Sequence, residues 1–188
     1  MKEDLHRLHP LPSLFHSVEK GGPFVRCGDC GGKLLDMDEG YFIQKAFAAG
    51  ETIMEVAICS GCHSRLQQSY STESRTRIWN FYLDHADLPG RLKKFHALPV
   101  GQPDFWLNRC VTCPALRSRT EEYVIAGQCY GEFLVYGETP MMMCLGCMEK
   151  IIGLFSAESL DVYDKWMERV APPAPGLRSE KPQVRILI

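Results

Sequence analysis

A chain of 188 residues, 45% hydrophobic and 23% charged, suits one ordinary domain or two small ones and excludes global disorder. Its apolar runs are too short to span a bilayer, and its N-terminal stretch lacks the apolar core of a signal peptide, so the expected compartment is the cytoplasm. The formal net charge of -2 counts thiols as neutral; eight metal-bound thiolates and two Zn²⁺ ions would bring it to about -6, which argues against attraction to nucleic acid by overall charge.

Along the chain, residues 1–22 read as a loosely held segment, with His6, His9 and His16 scattered in a solvated stretch. A first unit follows over 23–85. It opens on Cys27 and Cys30, a CxxC knuckle with Gly28 inside and Gly31-Gly32 after it for turn freedom. Tyr41 to Phe47 and Thr52 to Ile58 carry strand composition and meet near Ala49-Gly50, which predicts a hairpin. Cys59 and Cys62 form the second CxxC, and Cys62, Leu66 and Tyr70 recur at helical spacing. Ser71 then reads as the N-cap of a further helix with Ile78, Phe81 and Tyr82 on its apolar face. Residues 86–105 hold Pro89-Gly90, Pro99 and Pro103 and read as a linker with turns.

The order then repeats over 106–170. Cys110 and Cys113 form a third CxxC. Strands are expected at Tyr123 to Cys129 and Glu132 to Tyr136, and Met141-Met-Met143 leads into Cys144 and Cys147. Cys147, Ile151 and Phe155 repeat the helical spacing, and Ser156 repeats the N-cap, ahead of a helix bearing Tyr163, Trp166 and Met167. Ser71-Thr-Glu-Ser74 matches Ser156-Ala-Glu-Ser159, and Glu39-Gly-Tyr-Phe-Ile43 matches Glu121-Glu-Tyr-Val-Ile125. So many matched offsets imply an internal duplication of about 60 residues. More residues lie between the markers of the second half, so its hairpin should be longer or bulged. Residues 171–188 form a Pro-rich tail ending in the apolar Val184-Arg-Ile-Leu-Ile188.

Eight of the nine cysteines thus fall into four CxxC pairs. With no export signal, metal is the better explanation than disulfides. Between Cys30 and Cys59 lie 28 residues and between Cys113 and Cys144 lie 30, against 47 from Cys62 to Cys110. Pairing within each half follows: Cys27, Cys30, Cys59 and Cys62 as one site, Cys110, Cys113, Cys144 and Cys147 as the other. Four thiolates in a tetrahedron suit zinc, so two structural Zn²⁺ ions are expected as cofactors. Pairing of the first CxxC with the third is the alternative, and redox thiols are the non-metal one.

Knuckle, hairpin, then a helix opening with CxxC resembles the treble-clef group of zinc fingers over residues 24–83 and 106–170. The resemblance implies an α+β fold of two tandem, duplicated zinc-finger units, each with a knuckle, a β-hairpin and a C-terminal helix. It implies zinc and a scaffold, and no particular function.

The remaining residues give weaker signals. His63 reads as a helix residue rather than a ligand, since four sulfurs already fill the site. Cys129 reads as a small buried strand residue. The methionine run reads as strand packing. Arg65, Arg75 and Arg77, with Arg91, Lys93, Lys94 and His96 in the linker, offer a basic face beside Trp79 and Tyr82 for phosphate contact and base stacking. No Ser-His-Asp set, phosphate loop or nucleotide fingerprint is present. The expected function is that of a non-catalytic protein-interaction or adaptor module, with another protein as partner. Nucleic-acid binding through the Arg65/Arg75/Arg77/Lys93/Lys94 region is the alternative, and a thiol redox sensor or enzyme comes after it.

Overall fold

A computed structural model describes residues 8–95 and 102–171, the side chains of 92, 94 and 95 excepted. The expectations for His6, His96, the Lys94 side chain and the tail from 172 onward, with its Val184–Ile188 tip, lie outside the described residues. Among the described residues the fold is mixed α+β, with six α-helices and an antiparallel six-stranded sheet.

The first hairpin is β2 (Tyr41–Ala48) and β3 (Glu51–Cys59). Its two-residue turn puts Ala49 at φ 49° and Gly50 at φ 84°, a twist that suits a tight hairpin. β3 runs directly into α1 (Ser60–Ser69), which ends before Ser71 caps α2 (Thr72–His85). The helix break therefore falls at the serine, as the pattern predicts. Two short helices, α3 (Leu88–Phe95) and α4 (Pro103–Leu107), occupy the stretch read as a linker. Pro89 and Pro103 sit at helix starts, where their missing N–H removes no intrahelical bond.

In the second half, β4 (Glu122–Tyr130) pairs along one edge with both β5 (Phe133–Val135) and β6 (Met141–Cys144). The expected hairpin partner, β5, is present but short. The strand that delivers the cysteines is β6, made of the methionine run, and the extra residues form the β5–β6 excursion. α5 (Leu145–Ile152) and α6 (Ala157–Val170) follow, with Ser156 as N-cap of α6.

The two halves join through β2 and β4, in reciprocal register. Tyr41 opposes Cys129 and Phe47 opposes Tyr123, whose rings stack at 5.0 Å. Positions 41 and 123 match in the repeat, as do 47 and 129, so each strand meets the other as the other meets it.

β2 is buried on both faces because both are covered. Its even positions face helices: Phe42 meets His63 of α1, and Gln44 shares a small cavity with Tyr82 of α2 and Met148 of α5. Its odd positions face residues 11–20, which the sequence leaves loosely held. There β1 (Leu8–Pro10) pairs with β5, and Phe15 is fully buried against Gly127, where a Cβ would lie 2.8 Å from its ring. The buried Lys45 ammonium donates to the His16 carbonyl at 2.6 Å and pairs with Glu55 at 3.3 Å. Glu55 in turn accepts from the Ser17 hydroxyl (2.7 Å) and the Val18 N–H. A buried charge needs such partners.

Candidate metal centres

Each knuckle is held to its own hairpin. In the first, Cys27 N–H donates to the Gly32 carbonyl and Gly28 N–H to that of Ala57; in the second, Cys110 N–H donates to Ala115 and Val111 N–H to Met142. Arg26 and Arg109 precede the first cysteine of each half. Each guanidinium donates to the carbonyl five residues on, Gly31 or Pro114, and braces the turn. That repeated Arg-Cys pair is a signal the spacing argument passes over.

The four pairs close within each half, Cys27, Cys30, Cys59 and Cys62 in one group and Cys110, Cys113, Cys144 and Cys147 in the other. The ligand atoms of each group all lie within 4.8 Å of one another. Cys27 and Cys62 sulfurs are 3.7 Å apart, Cys30 and Cys59 3.9 Å, Cys113 and Cys144 3.7 Å. A tetrahedron with Zn–S bonds of about 2.3 Å has edges of about 3.8 Å. The two groups are thus compatible with two metal ions.

Their electrostatics ask for a cation. Burial raises the Cys27 pKa, but the backbone N–H groups of Cys30, Cys59 and Asp29 outweigh it and leave the thiol below its ordinary value. Cys110 behaves alike: burial is outweighed by the Thr112 hydroxyl and nearby backbone N–H groups, bringing it to about 7. The cysteines at the helix starts move the other way. Burial, with neighbouring sulfurs, pushes Cys59, Cys62, Cys144 and Cys147 up. Four sulfurs this close cannot all ionise without a counter-charge, which a bound dication supplies.

The groups differ in what surrounds them. Arg65, one turn after Cys62, donates to its sulfur at 2.9 Å. The matching position is Lys150, which makes no sulfur contact among the described residues; in the second group the Thr112 hydroxyl meets Cys110 at 3.5 Å. The first knuckle is also tied across the halves, with Arg169 of α6 donating to Asp29 at 2.6 Å. Spacing does not reveal these partners.

Cys129 is fully buried in β4 outside both groups, its thiol pushed up to about 12 by burial. His63 packs on Phe42 and near Gln67 and is not a member of the cysteine group. The basic residues take separate places: Arg65 on a sulfur, Arg77 on Glu73, Arg91 over the Trp106 ring with a bond to the Pro140 carbonyl, and Arg75 beside Trp79 on a groove.

No family model, curated protein or solved structure matches the chain. Among the described residues no helix is long and apolar enough to cross a membrane.

Proposed function

We propose that the protein is a non-catalytic, zinc-stabilised interaction module of the reducing cytoplasm, recognising another protein through its helical face. The tetrahedral spacing of each cysteine group carries this reading. Four thiolates favour zinc and leave no coordination position for water or substrate, which marks a structural site. In each half a knuckle, paired strands and a helix with a cysteine in its first turn follow in treble-clef order, and the reciprocal pairing of the halves supports an internal duplication. Units of about 60 residues gain much of their stability from such staples.

An exposed Trp79 beside Arg75 favours a second reading, single-stranded nucleic-acid binding by stacking, against which the holo-protein's acidity counts.

Elemental analysis of purified protein, with thiol titration before and after chelation, tests the scaffold. Two zinc ions per chain and no reactive ligand thiols until chelation are expected. Freely reactive thiols in metal-replete protein would overturn the structural reading in favour of redox chemistry.

A further inference from the structure

Helices α2 and α6 occupy matching positions in the two halves, with their N-caps 85 residues apart. They differ in what they show to solvent. α6 buries Tyr163 and Trp166, whereas the only side chain α2 buries fully is Ser74. Where α2 carries Trp79 and Leu83, each 60% exposed, α6 carries Asp164 and Glu168. The same scaffold position therefore accepts a carboxylate. Folding does not require an indole there, and a large exposed apolar side chain marks a contact surface.

Trp79 stands at the rim of a cavity of about 430 Å³ bounded by α1, α2, α5 and the loop before β6. Tyr70, Ile78, Tyr82, Met141, Ile151 and Phe155 line it. That volume suits one or two bulky apolar groups. Charge is placed at both ends. Arg75, in the first turn of α2, has the Thr72 hydroxyl at 3.3 Å and no carboxylate in ion-pair range among the described residues. Glu138, exposed in the loop leading to Met141, is likewise without an ion-pair partner among them. Met141 also shares a cavity with Tyr82, in the last turn of α2, and Pro140 accepts from Arg91, beyond that helix, so the loop carrying Glu138 passes the end of α2 opposite Arg75.

We infer that this groove docks a short segment of a partner protein in which a bulky apolar side chain lies between an acidic residue, for Arg75, and a basic residue, for Glu138. The inference rests on the protein-interaction reading above. The apolar anchor fills the cavity against Trp79, and the two charges set its direction along α2. Large anchors in pockets, framed by charge, are how such interfaces gain affinity and orientation.

The test selects a displayed library of short random peptides on the full-length zinc-loaded protein, then measures a labelled selected peptide by fluorescence polarisation. Peptides should converge on an apolar residue flanked by an acid and a base. Trp106 and Trp166 are 2% and 3% exposed, so a blue shift of tryptophan emission on binding reports Trp79. Trp79→Asp, which copies the residue of the matching helix, should weaken binding about thirtyfold or more at unchanged zinc content and melting temperature. Arg75→Glu should weaken it too and be rescued by a peptide with a base in place of its acid. Convergent peptides indifferent to both substitutions would overturn the groove and leave the interaction reading standing. No peptide selected, with oligo-dT bound instead and lost in Trp79→Asp, would overturn both.

Discussion

Two helix N-termini meet at the junction of the halves, and the serines there give the sharpest stability prediction. Each hydroxyl accepts one backbone N–H: Ser71 from Ser74 (3.1 Å), Ser74 from Ser156 (2.8 Å), Ser156 from Ser159 (3.2 Å), Ser159 from Ser71 (2.9 Å). Each also donates its own proton to the next oxygen in the same order, closing a ring at 2.9 to 3.3 Å. The positive ends of α2 and α6 are brought together, and four oxygen lone pairs offset them. Ser74 and Ser159 are fully buried. Removing the Ser159 hydroxyl leaves the Ser71 N–H without its acceptor and opens the ring, at about 2 kcal/mol for one orphaned donor and the lost bond. Ser74→Ala does the same to the Ser156 N–H, so the two variants should match within about 0.5 kcal/mol. Exposed Ser64→Ala serves as control and should change little. Urea unfolding in a zinc buffer of fixed free metal is the assay, because metal release would otherwise shift the baseline. If either variant keeps wild-type stability, or if the two differ by more than 1 kcal/mol or so, the ring does not act as a closed reciprocal unit.

Other expectations follow from single contacts. Arg65→Ala removes the donor to Cys62 and should speed zinc transfer from the first site to a chromophoric chelator by about tenfold while leaving the second site unchanged. Gly40 combines φ 73° with a would-be Cβ 2.7 Å from the Cys129 carbonyl, so Gly40→Ala should cost at least about 2 kcal/mol in urea unfolding. Gly50→Ala, at φ 84° in open space, should cost only about 1 kcal/mol. Glu55→Gln strands the buried Lys45 and should destabilise by about 3 kcal/mol at neutral pH. Burial raises the Glu55 pKa, but the Val18 N–H, the Ser17 hydroxyl and Lys45 bring it below 4.5. Its contribution is therefore full above that ordinary value and fades as pH falls through the folded one, so the gap between wild type and Glu55→Gln should narrow below about pH 4.5 when both are compared at equal metal content.

The cysteine groups were legible because a CxxC turn is local: four residues fix two sulfurs, and only the return of the chain remains to be inferred. The helix break before Ser71 was legible for a similar reason, since capping is decided within one turn. What spacing missed is what pairs at long range. β5 pairs with β4 as expected but over a short stretch, β6 pairs along the rest of that edge, and nothing near Phe133 announces that Leu8–Pro10 will pair with the other edge of β5. The N-terminal segment reads as solvated from its composition, yet Phe15 fills the room left by Gly127, a fit between residues more than a hundred positions apart. The matching serines were visible as a repeat, but the ring needs both halves folded together.

Two halves with matching elements provide their own control. Where the halves agree, in cysteines, bracing arginines, capping serines and the Tyr70–Phe155 edge contact at 4.9 Å, the agreement tracks what folding needs. Where they disagree, folding has left the choice open. Arg65, which donates to the Cys62 sulfur, stands against Lys150. Trp79 and Leu83 against Asp164 and Glu168 set which helix face turns apolar to solvent. Both differences fall in the first half, on α1 and α2, so the half that departs from its twin beside the cysteine group also departs in the surface it shows. A binding function carried by one half would leave this pattern, with the other half serving as frame and the first showing the contact face.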